Sequence, residues 1–215
     1  MYLSKKDIGN LNRVKRLNII NSVTGIKPGN LIGSKSLKGA TNLAIFSSII
    51  HLGSSPALLG FIVRPANKIR RDTYQNILET GYYTINHITN KITKKAHYSS
   101  IKFSSDISEF DKLNLTEEYL NGFEIPFLKE STVKIGMKFQ EEIDIKSNGT
   151  KLIIGEIIHL NIPEKALSSE GYLNLEQLDT IGIGGLNSYY QLTLKEQYPY
   201  ARIDEIPNFD ESKSQ

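Results

Sequence analysis

The sequence TVKIGMKFQEEIDIKSNGTKLIIGEIIHLNI, residues 132–162, contains the clearest strand signal in the chain. Its first part alternates with the period of two that a half-buried strand requires; the residues of one face are Val133, Ile135, Met137 and Phe139. Asn148-Gly149 is a strong hairpin turn signal, and the apolar run after it is the partner strand. Gly155 in that run predicts a bulge or a close backbone approach. These residues predict a long β-hairpin.

Short apolar runs separated by Gly, Pro, Ser and Asn extend outward from this hairpin. The other candidate strands are RLNIINSV (16–23), NLIGSKS (30–36), ALLGFIV (57–63), YYTINHI (82–88) and the run at Tyr189-Tyr190. Candidate helices cover residues 4–16, 72–80, 91–100 and 108–113. Strands and helices do not alternate regularly, so a doubly wound fold is excluded. We predict a mainly β fold with a few inserted helices.

Composition limits the functions that this chain can serve. Its 215 residues suffice for one domain with a sizeable core, and a net charge of +3 is too small to predict nucleic-acid binding. The absence of cysteine excludes a disulfide scaffold and thiol catalysis, and the four histidines lack metal-ligand spacing. No stretch supplies the roughly 20 continuous apolar residues of a membrane span. We therefore expect a cytoplasmic protein with no metal, membrane or nucleic-acid partner.

Two polar segments could carry chemistry, and each has a plain structural alternative. In GATNLAIFSSIIHLGSSP (39–56), Asn42, Ser47 and Ser48 interrupt an apolar stretch. They could bond to a flat polar ring, or they could be ordinary turn and edge-strand residues. KKAHYSS (94–100) could contact an anion or a ring edge, or it could form a charged surface helix. His97 is the one histidine that we expect at a site.

A third segment, RPANKIRRDTYQNI (64–77), leads into a predicted helix. Arg70 and Arg71 precede the helix start, where free N–H groups and partial positive charge suit a phosphate. Asp72 is a candidate N-cap with Gln75 three residues later, as in a capping box. A capping carboxylate would occupy the same N–H groups. A phosphate site and a capped helix with solvated arginines therefore both fit.

Familiar catalytic motifs do not occur in this sequence. The glycine-rich run IGIGGLNSYY (181–190) lacks the G-x-G-x-x-G spacing of a dinucleotide-binding turn, and we interpret it as a tight loop that leads into a closing strand. The sequence also has no Walker A loop, no GxSxG elbow and no HExxH motif. We therefore predict no catalytic side chain and no metal site.

In order and spacing, these segments resemble the flavin reductase-like family with the FMN-binding split barrel. The resemblance runs from about Arg16 to Tyr190 and rests on TNLAIFSSIIHLGSSPALLGFIVRP, RRDTYQNI, GYYTINHI, KKAHYSS, EFDKLNL and GEIIHL. It implies a six-stranded, Greek-key split β-barrel that forms a homodimer, with FMN near the subunit interface. We expect a helical extension over residues 1–16, the barrel domain over 17–194 and a tail over 195–215.

The resemblance also implies which residues bind FMN. Residues 41–48 would lie along the isoalloxazine ring and ribityl chain. Ser47 or Ser48, a basic residue from Arg64 to Arg71, and Thr73 would hold the phosphate, whereas Lys95 and His97 would lie near the cofactor. The predicted set comprises Thr41, Asn42, Leu43, Ala44, Ser47, Ser48, Arg64, Arg71, Asp72, Thr73, Lys95 and His97.

Three functions stay open at this point. The first is an FMN-dependent oxidoreductase, in which NADH or NADPH stacks on the flavin and passes hydride to it, with no side chain needed as a general acid. Many family members have an arginine in a loop like 181–190, where this chain has Ile183. That departure favours the second function, a flavoredoxin-like carrier that receives electrons from another protein. The third is a barrel that binds no flavin.

Overall fold

The computed structural model describes residues 1–65 and 71–209. Its helices are α1 (Lys5–Asn10), α2 (Arg13–Ser22), α3 (Asp72–Thr80), α4 (Thr93–Tyr98) and α5 (Glu109–Lys112). Its strands are β1 (Lys27–Pro28), β2 (Asn30–Lys35), β3 (Thr41–Phe46), β4 (Ile50–Ser54), β5 (Ala57–Val63), β6 (Tyr82–His87), β7 (Glu117–Glu118), β8 (Phe127–Leu128), β9 (Lys134–Ile145), β10 (Thr150–Asn161), β11 (Ile181–Gly184) and β12 (Ser188–Gln191). The predicted mainly β fold with a few inserted helices is confirmed.

The main sheet has seven antiparallel strands in the order β3-β2-β6-β9-β10-β5-β4. β3 and β4 lie at opposite edges, although only residues 47–49 separate them in the chain. Seven strands laid flat would span roughly 29 Å, whereas this connection reaches about 14 Å at most. The sheet must therefore curl until its edges approach each other. Because β3 and β4 do not pair within the described ranges, the barrel is open, with seven strands rather than the predicted six.

The β9–β10 hairpin has the form that the sequence predicts. Its turn lies at residues 146–149, and its register shifts beside Gly155. A side chain at Gly155 would meet the hydroxyl of Tyr83, so this position also has the predicted close approach. The alternating residues of β9 pack in the main core together with Phe61 and Ile77. The hairpin is the centre of the sheet because β6 pairs with β9 and β5 pairs with β10.

A second apolar cluster joins a small sheet to the barrel. β1, β11 and β12 form a three-stranded sheet of their own. Ile181 and Ile183 of β11 pack with Leu31 of β2 and Leu43 of β3. This packing places β12 next to the edge of the barrel that β3 forms, and it thereby sets one boundary of the cleft described below.

The predicted strand over residues 16–23 is wrong, because these residues belong to helix α2. The Asn12 side chain accepts hydrogen bonds from the N–H groups of Val14 and Lys15 and caps this helix. β-branched residues such as Ile19 and Ile20 favour strands only where a sheet can pack them, and no residue of α2 is buried. The helical segment therefore extends past the predicted limit at residue 16.

The single helix predicted over residues 4–16 is wrong, because α1 ends at Asn10 and α2 begins at Arg13. The other predicted elements are found close to their expected places. Strands occur at 30–35, 57–63 and 82–87, and helices occur at 72–80, 93–98 and 109–112. Residues 193–209 are exposed and contain one short 3₁₀ turn at Ile203–Glu205. No helix in the described part of the chain has both the length and the apolar character needed to cross a membrane.

Candidate functional site

A cleft of about 1150 Å³ opens where β3, the start of α3, residues 97–105 and β12 meet. Most of the predicted site residues line it, and these are Asn42, Ala44, Ser47, Ser48, Arg64, Arg71, Asp72, Thr73 and His97. Arg70 lies outside the described residues. The cleft thus brings together three segments that are far apart in the sequence.

A direct hydrogen bond joins the β3 segment to the start of α3. Asn42 Nδ2 donates to Thr73 Oγ1 at 2.9 Å and lies 3.4 Å from Ser34 Oγ. Asn76 of α3 donates to the same Ser34 hydroxyl at 3.1 Å. Ser34, Thr73 and Asn76 are all buried, so the side chains of this polar network are held in place by their mutual bonds. The two segments whose convergence the sequence predicts therefore touch each other.

The predicted capping role of Asp72 is wrong. Arg71 has non-helical backbone angles (φ −116°, ψ 85°) and occupies the N-cap position, so Asp72 is the first residue of the helix rather than its cap. The Arg71 side chain makes no capping hydrogen bond at this helix start. The first-turn N–H groups of a helix have no partner within the helix, and the side chain at the N-cap position does not compete for them.

The same helix start carries a buried guanidinium nitrogen. Arg71 Nε is buried and has no hydrogen-bond partner among the described residues. Thr73 accepts from Asn42, which leaves its own O–H as a donor. An unpaired buried donor is costly, and helix N–H groups, an arginine and a hydroxyl are the donors that proteins use to bind phosphate. This donor set fits the phosphate of a flavin nucleotide.

The connection between β3 and β4 is fixed by one of the predicted serines. Ser48 Oγ accepts a hydrogen bond from the Ile62 backbone N–H at 3.1 Å, which attaches residues 47–49 to β5. The apolar residues around this connection also line the cleft, and they include Ile45, Phe46, Ile49 and Ile50. A concave surface with mostly apolar walls and a few polar groups suits a flat aromatic ring.

Thr41 and Leu43 do not line the cleft; they hold the outer edge of β3. The Leu43 side chain is fully buried and its N–H donates to Glu109 Oε2 at 2.9 Å. The Thr41 hydroxyl lies 2.8 Å from Ser108 Oγ and donates to Glu117. Burial raises the pKa of Glu109 above its ordinary value, although the Leu43 N–H acts in the opposite direction. The sequence did not predict this role of Glu109. Its only indication was that the segment EFDKLNL is part of the family resemblance.

Lys95 also lies away from the cleft lining. Its ammonium group donates to the backbone carbonyl of Asn114, at the end of the α5 region. Lys95 therefore attaches α4 to the chain after α5. For Thr41, Leu43 and Lys95, a part in cofactor binding stays a prediction.

The wall opposite α3 contains a histidine–tyrosine pair. His97 Nδ1 and the Tyr189 hydroxyl lie 2.9 Å apart, and both residues line the cleft. Burial raises the pKa of the Tyr189 hydroxyl. Sequence reasoning placed Tyr189 only in a closing strand, because nothing local indicates a partner 92 residues away. The exposed residues Ser100, Lys102 and Ser104 extend this wall.

Comparisons with known proteins agree with this geometry. The model of the family described as "Flavin reductase like domain" matches residues 27–179. A solved structure from Shewanella frigidimarina NCIMB 400, assigned as a flavin reductase with a split barrel domain, is 42% identical, with a TM-score of 0.89 and coverage of 94% of this chain and 100% of that one. An uncharacterized protein of Aquifex aeolicus (strain VF5) is 26% identical over 167 residues, which are 76% of this chain and 83% of that protein.

A more distant structural relative shares the fold. Flavoredoxin of Desulfovibrio vulgaris (Miyazaki F) is 21% identical, with a TM-score of 0.72 and coverage of 82% of this chain and 92% of that one. At this identity the likeness shows the fold alone. The split barrel predicted from the sequence is therefore confirmed by structures as well as by the strand order.

Proposed function

Because this chain belongs to the flavin reductase-like domain family, we propose that it binds FMN in the cleft between β3, α3 and β12 and serves as an FMN-dependent oxidoreductase. One observation carries this proposal: the Asn42–Thr73 hydrogen bond joins the two predicted cofactor segments beside a buried Arg71 Nε that lacks a partner among the described residues. A phosphate would supply that partner and would explain why the donors gather there.

Each group near α3 has a defined part in holding the cofactor. The Arg71 guanidinium and the first-turn N–H groups of α3 bind the phosphate, and the Thr73 hydroxyl donates to it. Ala44 of β3 and the apolar residues beside it line the ring portion of the cleft. When bound, the flavin supplies the hydride and electron chemistry. The protein's own contribution is binding, orientation and exclusion of water from the ring.

The size of the cleft supports a second small molecule next to FMN. Its volume of about 1150 Å³ exceeds the roughly 300–1,000 Å³ of usual single-ligand pockets. NADH or NADPH is the proposed occupant, because a nicotinamide that stacks on the flavin can pass hydride to it. The exposed wall that carries Lys102 and the His97–Tyr189 pair is where its polar groups would bind. A homodimer and a cytoplasmic location are further parts of the proposal.

An electron carrier without direct nicotinamide activity is the second candidate. Ile183 is buried in the cluster that joins β11 to the barrel, so an apolar side chain occupies the region where many relatives have an arginine. The flavoredoxin of Desulfovibrio vulgaris, whose fold this chain shares, gives a named precedent for a carrier. In this case another protein would deliver the electrons.

Anaerobic spectroscopy separates these candidates. The purified protein is loaded with FMN, freed of unbound flavin, and titrated with NADH and NADPH while the visible flavin absorbance is recorded. Loss of absorbance with either nicotinamide supports the reductase. Unchanged absorbance with both, followed by bleaching with dithionite, supports the carrier. Failure to retain FMN would reject both.

A further inference from the structure

The C-terminal arm, defined here as residues 194–209, leaves β12 and packs against little of its own chain. Every residue of the arm is exposed. Six of them are large apolar or aromatic side chains with exposures between 59% and 88%, namely Leu194, Tyr198, Tyr200, Ile203, Ile206 and Phe209. The Leu194 N–H donates to Glu176 at 3.2 Å, which attaches the start of the arm to the body.

This composition differs from that of a solvated tail. Disordered tails are poor in aromatic and β-branched residues, whereas aromatic residues are enriched in the buried cores of protein interfaces. Pro199 and Pro207 limit the conformations of the arm and favour an extended chain. An extended segment with an apolar side chain every two to four residues is suited to lie along another surface.

The chain termini leave a large apolar surface without a partner in the isolated copy. The arm has no buried residue, and α1 and α2 at the other end of the chain also contain none. Contiguous exposed apolar surface of this kind marks a site of protein–protein contact.

The distribution of charge favours residues 1–191 of a second copy as the surface that binds the arm. Residues 192–215 contain three basic and five acidic side chains, whereas residues 1–191 contain 23 basic and 18 acidic ones. Residues 192–215 therefore carry a net charge of −2, and residues 1–191 carry a net charge of +5. Opposite net charges of this kind favour association of the tail of one copy with the body of another.

We propose that the C-terminal arm packs across a second copy of this chain. A fully extended arm of 16 residues reaches about 50 Å, more than enough to cross a neighbouring domain of this size. In a two-fold symmetric dimer each copy gives one arm and receives one, so every contact is made twice. The arm can bind a second copy whether or not flavin is bound, and it is the element that forms the assembly.

Sedimentation equilibrium of the full chain gives the first test. We expect a mass near twice 24.2 kDa at micromolar concentration. The triple variant Tyr198→Ser, Tyr200→Ser, Phe209→Ser should weaken the dimer by about 100-fold or more, because aromatic anchors contribute most of the affinity of an interface. Leu37→Ser, which removes a similarly exposed residue from a turn distant in sequence, should leave it unchanged. A monomeric wild type, or equal dissociation constants for all three proteins, would overturn the proposal.

Crosslinking identifies the surface that the arm contacts. Because the chain has no cysteine, Tyr200→Cys can be labelled at one position with a benzophenone maleimide and irradiated. We expect a covalent dimer on a denaturing gel, and Lys38→Cys in an exposed turn serves as the matched control. Crosslinks confined within one chain, or no more dimer than the control gives, would show that the arm does not contact a second copy. FMN retention is measured on the same samples, so failure of the flavin proposal would be recognised separately.

Discussion

The two walls of the cleft are built in different ways. On the β3–α3 wall, Ser34, Thr73 and Asn76 are buried, and their side chains bond to each other and to Asn42. On the opposite wall, residues 100–102 are exposed, and the principal side-chain contact is the His97–Tyr189 pair. One wall is fixed by a buried network of hydrogen bonds, whereas the other combines one half-buried hydrogen-bonded pair with residues that are exposed to solvent.

This difference implies that the two walls have different functions. Groups held in position before a ligand arrives cost less to order when it binds, so the fixed wall should determine the affinity for FMN. The exposed wall should determine what exchanges next to the flavin. Substitutions on the two walls therefore test whether the division is real.

The largest effect is expected from Arg71 on the fixed wall. Arg71→Ala removes a buried charged donor, and hydrogen bonds that involve charged groups contribute about 1.5–3 kcal/mol each. We expect the dissociation constant for FMN to rise by about 100-fold, measured by quenching of flavin fluorescence. Arg64→Ala is the matched control, because Arg64 also lines the cleft but is exposed. It should change affinity by less than about fivefold; similar losses in both variants would contradict a special role for Arg71, whose Nε is buried.

Substitution of Asn42 is expected to have two smaller effects, one on the stability of the fold and one on the affinity for FMN. Asn42→Ala leaves the Thr73 hydroxyl without its donor in a buried place, which should lower the free energy of unfolding by about 1–3 kcal/mol. It should also weaken FMN binding by about tenfold, because Thr73 would no longer be oriented. Urea unfolding and FMN titration measure the two effects. If Thr73→Val gives the same losses and the double variant adds nothing, the pair acts as one unit.

The Glu109 carboxyl at the edge of β3 should make the stability of the fold depend on pH. The raised pKa of Glu109 means that the folded chain holds this proton to a higher pH than the unfolded chain does. Its contribution to stability is therefore full below the unfolded pKa and is lost as the pH rises through the folded pKa. Glu109→Gln keeps an oxygen for the Leu43 N–H but does not titrate. Relative to this variant, the wild type should lose stability as the pH rises above the ordinary glutamate pKa of about 4.3.

Urea midpoints at several pH values measure this difference. Glu164→Gln, at an exposed 3₁₀ turn, is the control and should run parallel to the wild type. Parallel curves for Glu109→Gln as well would show that burial of this carboxyl does not affect folding.

The smallest changes in FMN affinity are expected from substitutions of Lys95 and Tyr189. Lys95 donates to the Asn114 carbonyl rather than lining the cleft, so Lys95→Ala should change FMN affinity by less than about twofold. Tyr189→Phe, on the exposed wall, should change it by less than about threefold while altering the KM for the nicotinamide. FMN titration and steady-state kinetics check both. A large loss of FMN affinity in either variant would remove the distinction between the walls.

Local patterns predicted the barrel well because its strands are marked by local chemistry. The hairpin at Asn148-Gly149 and the bulge at Gly155 depend on neighbours within a few residues. The strand predicted over residues 16–23 is wrong because isoleucines suit a sheet only where a sheet buries them, whereas this segment is capped by Asn12 and contains no buried residue. The cap of α3 was misplaced by one residue, which the backbone angles of Arg71 decide.

The candidate site was predictable only where it repeats a familiar order of segments. Asn42 and Thr73 could be expected to meet because the resemblance puts both on the cofactor. Tyr189 and Glu109 could not be found in this way, since their contacts with His97 and with the Leu43 backbone cross 92 and 66 residues. Such contacts are set by the packing of whole elements, and a local pattern does not contain that information.

The most direct test of phosphate binding by the β3–α3 wall compares FMN with riboflavin, which has the same ring and no phosphate. We expect the wild type to bind FMN at least about 100-fold more tightly than riboflavin, and Arg71→Ala to bind the two with nearly equal affinity. Equal affinity of the wild type for both flavins, or an undiminished preference for FMN in Arg71→Ala, would contradict the assignment of this wall as the phosphate site.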